Sequence, residues 1–430
     1  MDRGVSKYSN FITLFKNYEI TTTITISPVY NCLKTMKFSS PLLFVLTSFL
    51  LSFTNPLSGA KGIEEALFTW TDSPSTTLNV IWLVKDKDPT LFLWGKTDDQ
   101  FPSSAEVNRH SFYKGSGLEV CQVQLAGLSP DTGYRVFLGD KEFRAQTLPA
   151  KRPNRISFVT GGDMMHSPDF HKDGVKAMAS RSPSFALLGG DLAYANGKSW
   201  ERWLDWIEEY ADHAVNKDGY SIPFVVAIGN HEVNGGYGKT PKEAPIFYNL
   251  FPLPQKLKSY YTIDLYEDLS VVILDSSHTY SIESQTEFLK SSLSSRKDRA
   301  HLFALYHFPA YGIMKGGLNS PISKSMRKHW VPLFDQYGLD AAFENDHHVY
   351  KRSKLLKGDK THQDGTLYIG DGAWGVRTRK PEAKEYWYVE KFEPTRHVIE
   401  VEIIDNVRIY RAVNHDEKVF DEFIDKRDSE

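Results

Sequence analysis

Five apolar segments of the sequence each end in polar side chains of the kinds that bind metal ions. The segments are rich in β-branched and aromatic residues, as buried strands are. The residues that follow them are Asp163, then Asp191 with Tyr194, then Asn230 with His231 and Glu232, then His307, and last Glu344 to His348. Because the carboxyl ends of parallel strands meet at one edge of a sheet, the pattern predicts that these side chains converge.

The residue types at these positions indicate two adjacent metal ions. Aspartate, asparagine and tyrosine oxygens combine with imidazole nitrogens, a donor set that suits hard to borderline cations. A carboxylate such as Asp191 can bridge two ions about 3.5–4 Å apart. Two cations would hold the oxygens of a phosphate, and one of them would lower the pKa of a coordinated water. One such motif alone is more often a turn, but the ordered series points to metal-dependent phosphoester hydrolysis.

The segments that would position these residues alternate between strand and helix patterns over residues 155–413. Residues 199–215 have aromatic and aliphatic residues at helical spacing with acidic residues opposite, which predicts an amphipathic helix. Residues 260–277 predict an antiparallel pair that turns at Glu267 and Asp268, and residues 386–413 predict a β meander. This alternation, with added hairpins, predicts an α/β sandwich.

Residues 61–148 have a different pattern, with short β-type runs separated by turn residues. Their spacing predicts an all-β sandwich of the immunoglobulin or fibronectin type. The stretch from Leu125 to Tyr134 resembles the corner motif of fibronectin III domains. Residues 149–154 are interpreted as a linker and residues 414–430 as a C-terminal tail. Cys121 lies on the apolar face of a predicted strand, which favours a buried thiol over an intermolecular disulfide.

Residues 1–60 are interpreted as an N-terminal extension followed by a signal peptide. The apolar run at 41–53 is shorter than the roughly 20 residues of a membrane span, and a small-residue cleavage pattern ends at Ala60. A retained signal anchor is the alternative. A signal peptide that starts at Met36 would have a conventional length. The first 35 residues are therefore interpreted as a possible extension of the gene model. We therefore expect a secreted or extracellular protein without a stable membrane span, and a lysosomal or vacuolar location is compatible.

Composition excludes several classes of protein. The 430 residues include 41% hydrophobic and 24% charged residues, which excludes disordered, collagen-like and polytopic membrane proteins. A formal net charge of −3 leaves no basic excess for a nucleic-acid backbone. Any anion must therefore be bound by local charge such as a metal. The sequence leaves a homodimer open.

The ordered series of motifs resembles the calcineurin-like metallophosphoesterases and, within them, the purple acid phosphatases. Tyr194, three residues after Asp191, carries the most specific part of the resemblance. The resemblance implies an acid phosphatase that hydrolyses phosphate monoesters with a metal-bound hydroxide at a dinuclear centre. A phosphodiesterase on the same scaffold and a weakly active pseudoenzyme that binds a partner are the alternatives.

The resemblance also implies a role for each site residue. An Fe(III) ion would be bound by Asp163, Asp191, Tyr194 and His348. A divalent zinc, manganese or iron ion would be bound by Asp191, Asn230, His307 and Asp346. His231 would contact the phosphate and protonate the leaving group. Glu232 would orient a neighbour without binding a metal.

Two departures from the family pattern bear on these roles. The family has histidine where this sequence has Asp346, so three outcomes are open: Asp346 binds the divalent ion, the adjacent His347 does, or the second site is weakened. On an extended backbone Asp346 and His348 would point the same way, which favours Asp346. In addition, Gly316 and Gly317 fall where plant members have phosphate-contacting histidines, so substrate contacts must differ.

Overall fold

The computed structural model of the chain describes residues 65–85, 91–100, 102–382 and 385–426. The predicted extension and signal peptide lie outside these residues. No helix within the described ranges is long and apolar enough to cross a membrane.

The strands are numbered in chain order. They are β1 (Leu67–Thr69), β2 (Thr77–Lys85), β3 (Phe92–Lys96), β4 (Ser103–Ser104), β5 (Asn108–Ser111), β6 (Leu118–Ala126), β7 (Gly133–Leu138), β8 (Lys141–Gln146), β9 (Arg155–Gly161), β10 (Ala186–Leu188), β11 (Phe224–Val226), β12 (Tyr261–Tyr266), β13 (Leu269–Ile273), β14 (His301–Leu305), β15 (Ala341–Glu344), β16 (Tyr350–Ser353), β17 (Leu356–Lys357), β18 (Lys360–Thr361), β19 (Leu367–Gly370), β20 (Val389–Glu393), β21 (His397–Ile404), β22 (Val407–Asn414) and β23 (Val419–Asp425).

The helices lie mainly between the strands of the second half. The α-helices are α1 (Pro168–Ser180), α2 (Trp200–His213), α3 (Pro245–Leu250), α4 (Thr286–Ser294), α5 (Pro321–His329) and α6 (Val331–Tyr337). Short 3-10 helices cover Asn230–Glu232, Pro241–Glu243, Glu283–Gln285 and Gly317–Asn319.

Two large sheets pack face to face and form the centre of the fold. One has ten strands in the order β23-β22-β21-β9-β10-β11-β1-β2-β6-β5, and the other has seven in the order β12-β13-β14-β15-β19-β16-β20. Phe158 of β9 bridges them, because its ring centroid lies 5.7 Å from that of Phe303 and 5.9 Å from that of Phe343. These aromatic contacts bury the inner faces of both sheets.

Helices cover the outer faces of the two sheets. Helices α1 and α2 pack on the ten-stranded sheet through one core cluster, and α4, α5 and α6 pack on the seven-stranded sheet through another. In α2 the buried residues are Trp203, Trp206, Ile207 and Tyr210, whereas Trp200 is only half-buried. The predicted α/β sandwich is confirmed, as is the hairpin of β12 and β13.

The N-terminal strands form two layers, one of which is part of the ten-stranded sheet. Strands β1, β2, β6 and β5 continue the ten-stranded sheet, where Thr69 of β1 pairs in parallel with Phe224 of β11. The facing layer is a four-stranded sheet in the order β4-β3-β7-β8. The side chain of Cys121 on β6 is buried, as predicted.

The C-terminal segment differs from the predicted meander. Strand β20 joins the seven-stranded sheet by pairing with β16, whereas β21 and β22 pair with each other in the ten-stranded sheet. A meander over 386–413 is therefore wrong, because the chain crosses between the sheets at residues 394–396. Within the segment interpreted as a tail, Val419–Asp425 forms β23 on the edge of the larger sheet.

We predict a pH-dependent contribution of His171 to stability. This fully buried ring stacks on Trp206, and its Nε2 lies 3.2 Å from the Trp206 carbonyl oxygen. Burial lowers the pKa of His171 from 6.5 to about 3. The unfolded chain therefore takes up a proton near pH 6.5 that the folded chain does not, so stability falls as the pH drops from 6.5 towards 3.

The expected slope from this group is at most about 1.4 kcal/mol of unfolding free energy per pH unit. The free energy of unfolding, measured with denaturant between pH 7 and 4, should depend less steeply on pH in His171→Phe. The slope should fall by the amount that corresponds to one bound proton. The exposed His362→Gln is the control and should keep the wild-type slope. An unchanged slope in His171→Phe would show that the folded protein accommodates the charged ring.

Candidate metal centre

The predicted site residues converge where the strands of both sheets end, and several have an unusual backbone conformation. A positive φ is uncommon for residues other than glycine and costs free energy, and such residues are concentrated at functional sites. Five of the predicted ligands have a φ between 54° and 75°: Asp163, Asp191, Tyr194, Asp346 and His348. Their side chains point into the site because the surrounding structure enforces this conformation.

Three predicted iron ligands form the first group. The Tyr194 hydroxyl donates a hydrogen bond of 2.7 Å to Asp163 Oδ1 and lies 2.9 Å from His348 Nε2. His348 Nε2 lies 3.0 Å from the same Asp163 oxygen. All three side chains are buried, although they come from residues as much as 185 apart in the sequence.

The predicted divalent-ion ligands form the second group around His307. The Nε2 atom of His307 lies 3.3 Å from Asp191 Oδ2, 3.3 Å from Asn230 Oδ1 and 3.5 Å from Asp346 Oδ1. His307, Asp191 and Asp346 are buried, whereas Asn230 is partly exposed, so the second group lies at the edge of the buried site. The structure thus brings all seven predicted ligands into two adjoining groups.

Asp191 and Asp346 connect the two groups. Ligand atoms of Asp163, Asp191 and His307 all lie within 4.8 Å of one another, a spacing at which they could hold a metal ion. The backbone N–H of Asp346 donates a hydrogen bond of 2.7 Å to Asp163 Oδ2. The carboxylate of Asp191 is therefore within reach of both groups, as a bridging ligand must be.

The hydrogen bonds of the two histidines fit metal binding through Nε2. His307 Nδ1 lies 2.8 Å from the Gly189 carbonyl oxygen, and His348 Nδ1 lies 3.2 Å from that of Arg377. A carbonyl oxygen can only accept, so each Nδ1 carries a proton, and Nε2 is the ring nitrogen left to face a cation. Metal-binding histidines are oriented by this kind of outer hydrogen bond.

The electrostatics of the site also fit cations. Burial would raise the pKa of Asp191, but His307 and His231 beside it lower the value to about 2. Burial likewise opposes a charged His307, yet the Asp191 and Asp163 carboxylates raise its pKa well above 6.5. Burial and the same two carboxylates raise the pKa of the Tyr194 phenol well above 10. Both the imidazole and the phenol thus respond to an excess of buried negative charge, which cations would neutralise.

Two glycines permit this close packing of side chains. A Cβ atom on Gly372, whose φ is 57°, would lie 1.7 Å from Asp163 Oδ2. A Cβ atom on Gly189 would lie 2.0 Å from the Asn345 side-chain nitrogen. Any larger residue at either position would displace a side chain of the site.

The fifth motif adopts a conformation that differs from the extended backbone we predicted. The extended backbone is wrong, since Asp346 and His348 have φ values of 75° and 58°. Both side chains nevertheless face the site, and the buried His347 has its Nε2 3.8 Å from Asp346 Oδ2. Its ring packs against Gly312 and Phe308, and its Nδ1 accepts a hydrogen bond of 3.2 Å from the Met314 N–H.

His231 and Glu232 lie at the edge of the site in different roles. His231 is partly exposed, and its Nε2 lies 3.8 Å from Asp191 Oδ2. Its Nδ1 is hydrogen-bonded to the Asn196 side-chain oxygen. The buried Glu232 carboxylate instead accepts backbone N–H groups of Gly229, Asp191 and Leu192 at 2.7–2.8 Å. Glu232 therefore fixes the turns that carry Asp191 and Asn230.

Two residues of the site were not predicted from the sequence. The Tyr237 hydroxyl donates to Asn230 Oδ1 at 2.9 Å and to Asp346 Oδ1 at 3.1 Å. The Lys315 ammonium donates to both oxygens of Asp346. Tyr237 and Lys315 each lie beside glycines, which indicate a loop in the sequence. A loop pattern does not show where a side chain points, so neither residue could be placed at the site.

We predict that Asp346 is required for the second metal ion and that His347 is not. Asp346→Ala removes an oxygen donor beside His307, so affinity for that ion should fall by more than the roughly 10–100-fold that loss of an outer partner costs. His347→Ala leaves the donor groups intact and should retain two metal equivalents. Metal analysis of the purified variants after equilibrium dialysis measures both. Loss of the second ion from His347→Ala alone would assign that ligand to His347.

Comparison with known proteins agrees with this geometry. Residues 162–350 match the family model described as calcineurin-like phosphoesterase. An uncharacterised protein of Mycobacterium tuberculosis is 26% identical over 348 residues, which cover 70% of this chain and 64% of that protein. The chain thus spans less than two thirds of that relative. Purple acid phosphatase 18 of Arabidopsis thaliana is 24% identical over 315 residues, which cover 70% and 69% of the two chains.

A solved structure is also similar in fold. The purple acid phosphatase isolated from yellow lupin (Lupinus luteus) seeds matches with a TM-score of 0.70 and 17% identity. The match covers 84% of this chain and 73% of the lupin chain. Residues 162–350 are therefore similar to calcineurin-like phosphoesterases, and the chain has the α/β sandwich fold found in a solved purple acid phosphatase.

Proposed function

We propose that the protein is a dinuclear metal phosphatase that hydrolyses phosphate monoesters. The observation that carries the proposal is the position of Asp191, whose carboxylate reaches both groups of ligands. Asp163, Asp191, Tyr194 and His348 would hold a ferric ion, and Asp191, Asn230, His307 and Asp346 would hold a divalent zinc, manganese or iron ion. When bound, such ions act as Lewis acids on phosphoryl oxygens and make coordinated water more acidic.

His231 is the group in this chain best suited to transfer a proton. Its ring is partly exposed beside the ligand groups, so a substrate can reach it from solvent. The Asn196 side-chain oxygen accepts from Nδ1, so Nε2 is the atom that gains or loses a proton. A protonated Nε2 would donate its proton to the oxygen of the leaving alcohol.

The proposal extends to the parts of the chain outside the site. A fibronectin III-like N-terminal domain is supported by the two facing layers of strands within residues 67–146 and by Tyr134, whose hydroxyl accepts from the Ser129 N–H at 2.8 Å. Secretion is supported only by the signal-peptide pattern. Both remain part of the proposal.

The function is tested by assaying a phosphate monoester and a phosphate diester side by side on protein of measured metal content. We expect two metal ions per chain and a higher kcat/KM for the monoester. A preference for the diester would support a phosphodiesterase instead. Metal-loaded protein that turns over neither ester would support a binding protein.

His231→Ala should slow turnover by about 10²–10⁴-fold, the usual contribution of a general acid, and keep both metal ions. Asp191→Ala is the contrasting variant, since it removes the shared carboxylate and should lose both ions together with activity. Steady-state kinetics combined with metal analysis distinguishes the two. If His231→Ala loses a metal ion, His231 is a ligand and its proposed role is wrong.

The iron-loaded protein should absorb visible light through a bond between Tyr194 and Fe(III). Tyr194→Phe removes the phenolate donor and should abolish that band. Tyr237→Phe is the matched control, because it removes a hydroxyl from the other half of the site and should keep the band. Absorption spectra of the three proteins at equal iron content test this prediction. A colourless, iron-loaded wild type would exclude tyrosine ligation but not phosphoester hydrolysis.

A further inference from the structure

Lys315 places a positive charge directly at the predicted divalent-ion ligands. Its ammonium donates hydrogen bonds of 2.7 and 2.8 Å to the two oxygens of Asp346. The Asp346 side chain is 1% exposed, whereas that of Lys315 is 38% exposed. The lysine therefore extends from the surface into the site, with its charged end at the ligands and its stem towards solvent.

The loop that carries Lys315 has a conformation suited to direct this side chain. Lys315, Gly316 and Gly317 have consecutive positive φ values of 49°, 88° and 53°. The loop is closed by a hydrogen bond of 2.8 Å from the Gly317 N–H to the Met314 carbonyl oxygen. It follows the strand that leads to His307 and precedes helix α5, so one connection carries both a predicted ligand and the lysine.

A cavity of about 330 Å³ lies beside Lys315. It is lined by the loop at residues 313–319 and by Lys380, Glu382, Tyr386 and Tyr388 from the facing segment. The Tyr388 hydroxyl donates to the Gly312 carbonyl oxygen at 2.7 Å and ties the two sides together. Lys315 thus lines this cavity and also contacts a predicted metal ligand through its ammonium.

We propose that Lys315 binds the phosphoryl oxygens of the substrate, which rests on the proposed phosphatase function. An ammonium has three donors, so Lys315 can keep one bond to Asp346 and direct another at an anion. Once Asp346 binds a cation, its carboxylate has a second positive partner and attracts the lysine less strongly.

The residue would also explain how an aspartate is accommodated at position 346. An anionic ligand adds a negative charge to a site that must attract a phosphate ester. Lys315 offsets that charge on the side from which the substrate approaches. Asp346 and Lys315 are therefore interpreted as a pair whose opposite charges balance each other beside the predicted divalent-ion ligands.

The test measures binding of inorganic phosphate to metal-loaded protein by titration calorimetry, with the metal content of each sample determined. Lys315→Met should weaken phosphate binding by about 10–100-fold, the range for loss of a hydrogen bond to a charged group, and should retain both metal ions. Lys315→Arg keeps the charge and should restore part of the affinity. The exposed Lys324→Met, on helix α5, is the control and should bind phosphate as the wild type does.

Two results would overturn the proposal. Lys315→Met with full metal content and wild-type phosphate affinity would exclude contact with the phosphate. Loss of the divalent ion from Lys315→Met would instead make the lysine a support of Asp346. Failure of the proposed phosphatase function would give a different result. The wild-type protein would then bind phosphate with an affinity that depends on Lys315 but would hydrolyse no phosphate ester.

Discussion

The structure depends on holding three buried carboxylates close together. Asp163, Asp191 and Asp346 are each at most 1% exposed. Like charges brought together away from water repel one another and are poorly solvated, so such a cluster is unfavourable unless it is paired. Within the described residues, His307 and Lys315 supply part of the compensation. Metal ions at the same place would supply the remainder, so the ligand geometry and the charge lead to the same conclusion.

The backbone reflects the same constraint. Left-handed conformations at Asp163, Asp191 and Asp346 are held by hydrogen bonds that cross between strand ends, such as that from the Asp346 N–H to Asp163 Oδ2. In a comparable way, the Glu232 carboxylate accepts a hydrogen bond from the backbone N–H of Asp191. Each ligand is thus positioned by a neighbouring ligand loop, and a change in one loop is transmitted to the others.

The sequence predicted the parts of this arrangement that follow from local pattern. Strand runs that end in Gly-Asp or Gly-Asn-His predict where ligands lie, because the sheet edge brings strand ends together. The direction of Lys315 and Tyr237 could not be predicted, since it depends on loops that contact Asp346 from 31 and 109 residues away. The same limit applies to β20, because its pairing with β16 determines which of the two sheets it joins. The turn at Asp346 was also missed, because an aspartate can adopt either the extended or the left-handed conformation.

A second buried layer behind the ligands explains how the site confines its charge. Lys351 forms a fully buried ion pair with Glu344, and Asp371 lies 3.7 Å from the same ammonium. Burial raises the pKa of Asp371 well above its usual range and lowers that of His347 well below it, which favours the neutral form of each. A charged Asp371 would add a further negative charge beside Asp346, and a charged His347 would compete with bound cations. Because burial favours the neutral form of both groups, this layer adds little charge to that of the ligands, Lys315 and whatever cations the ligands bind.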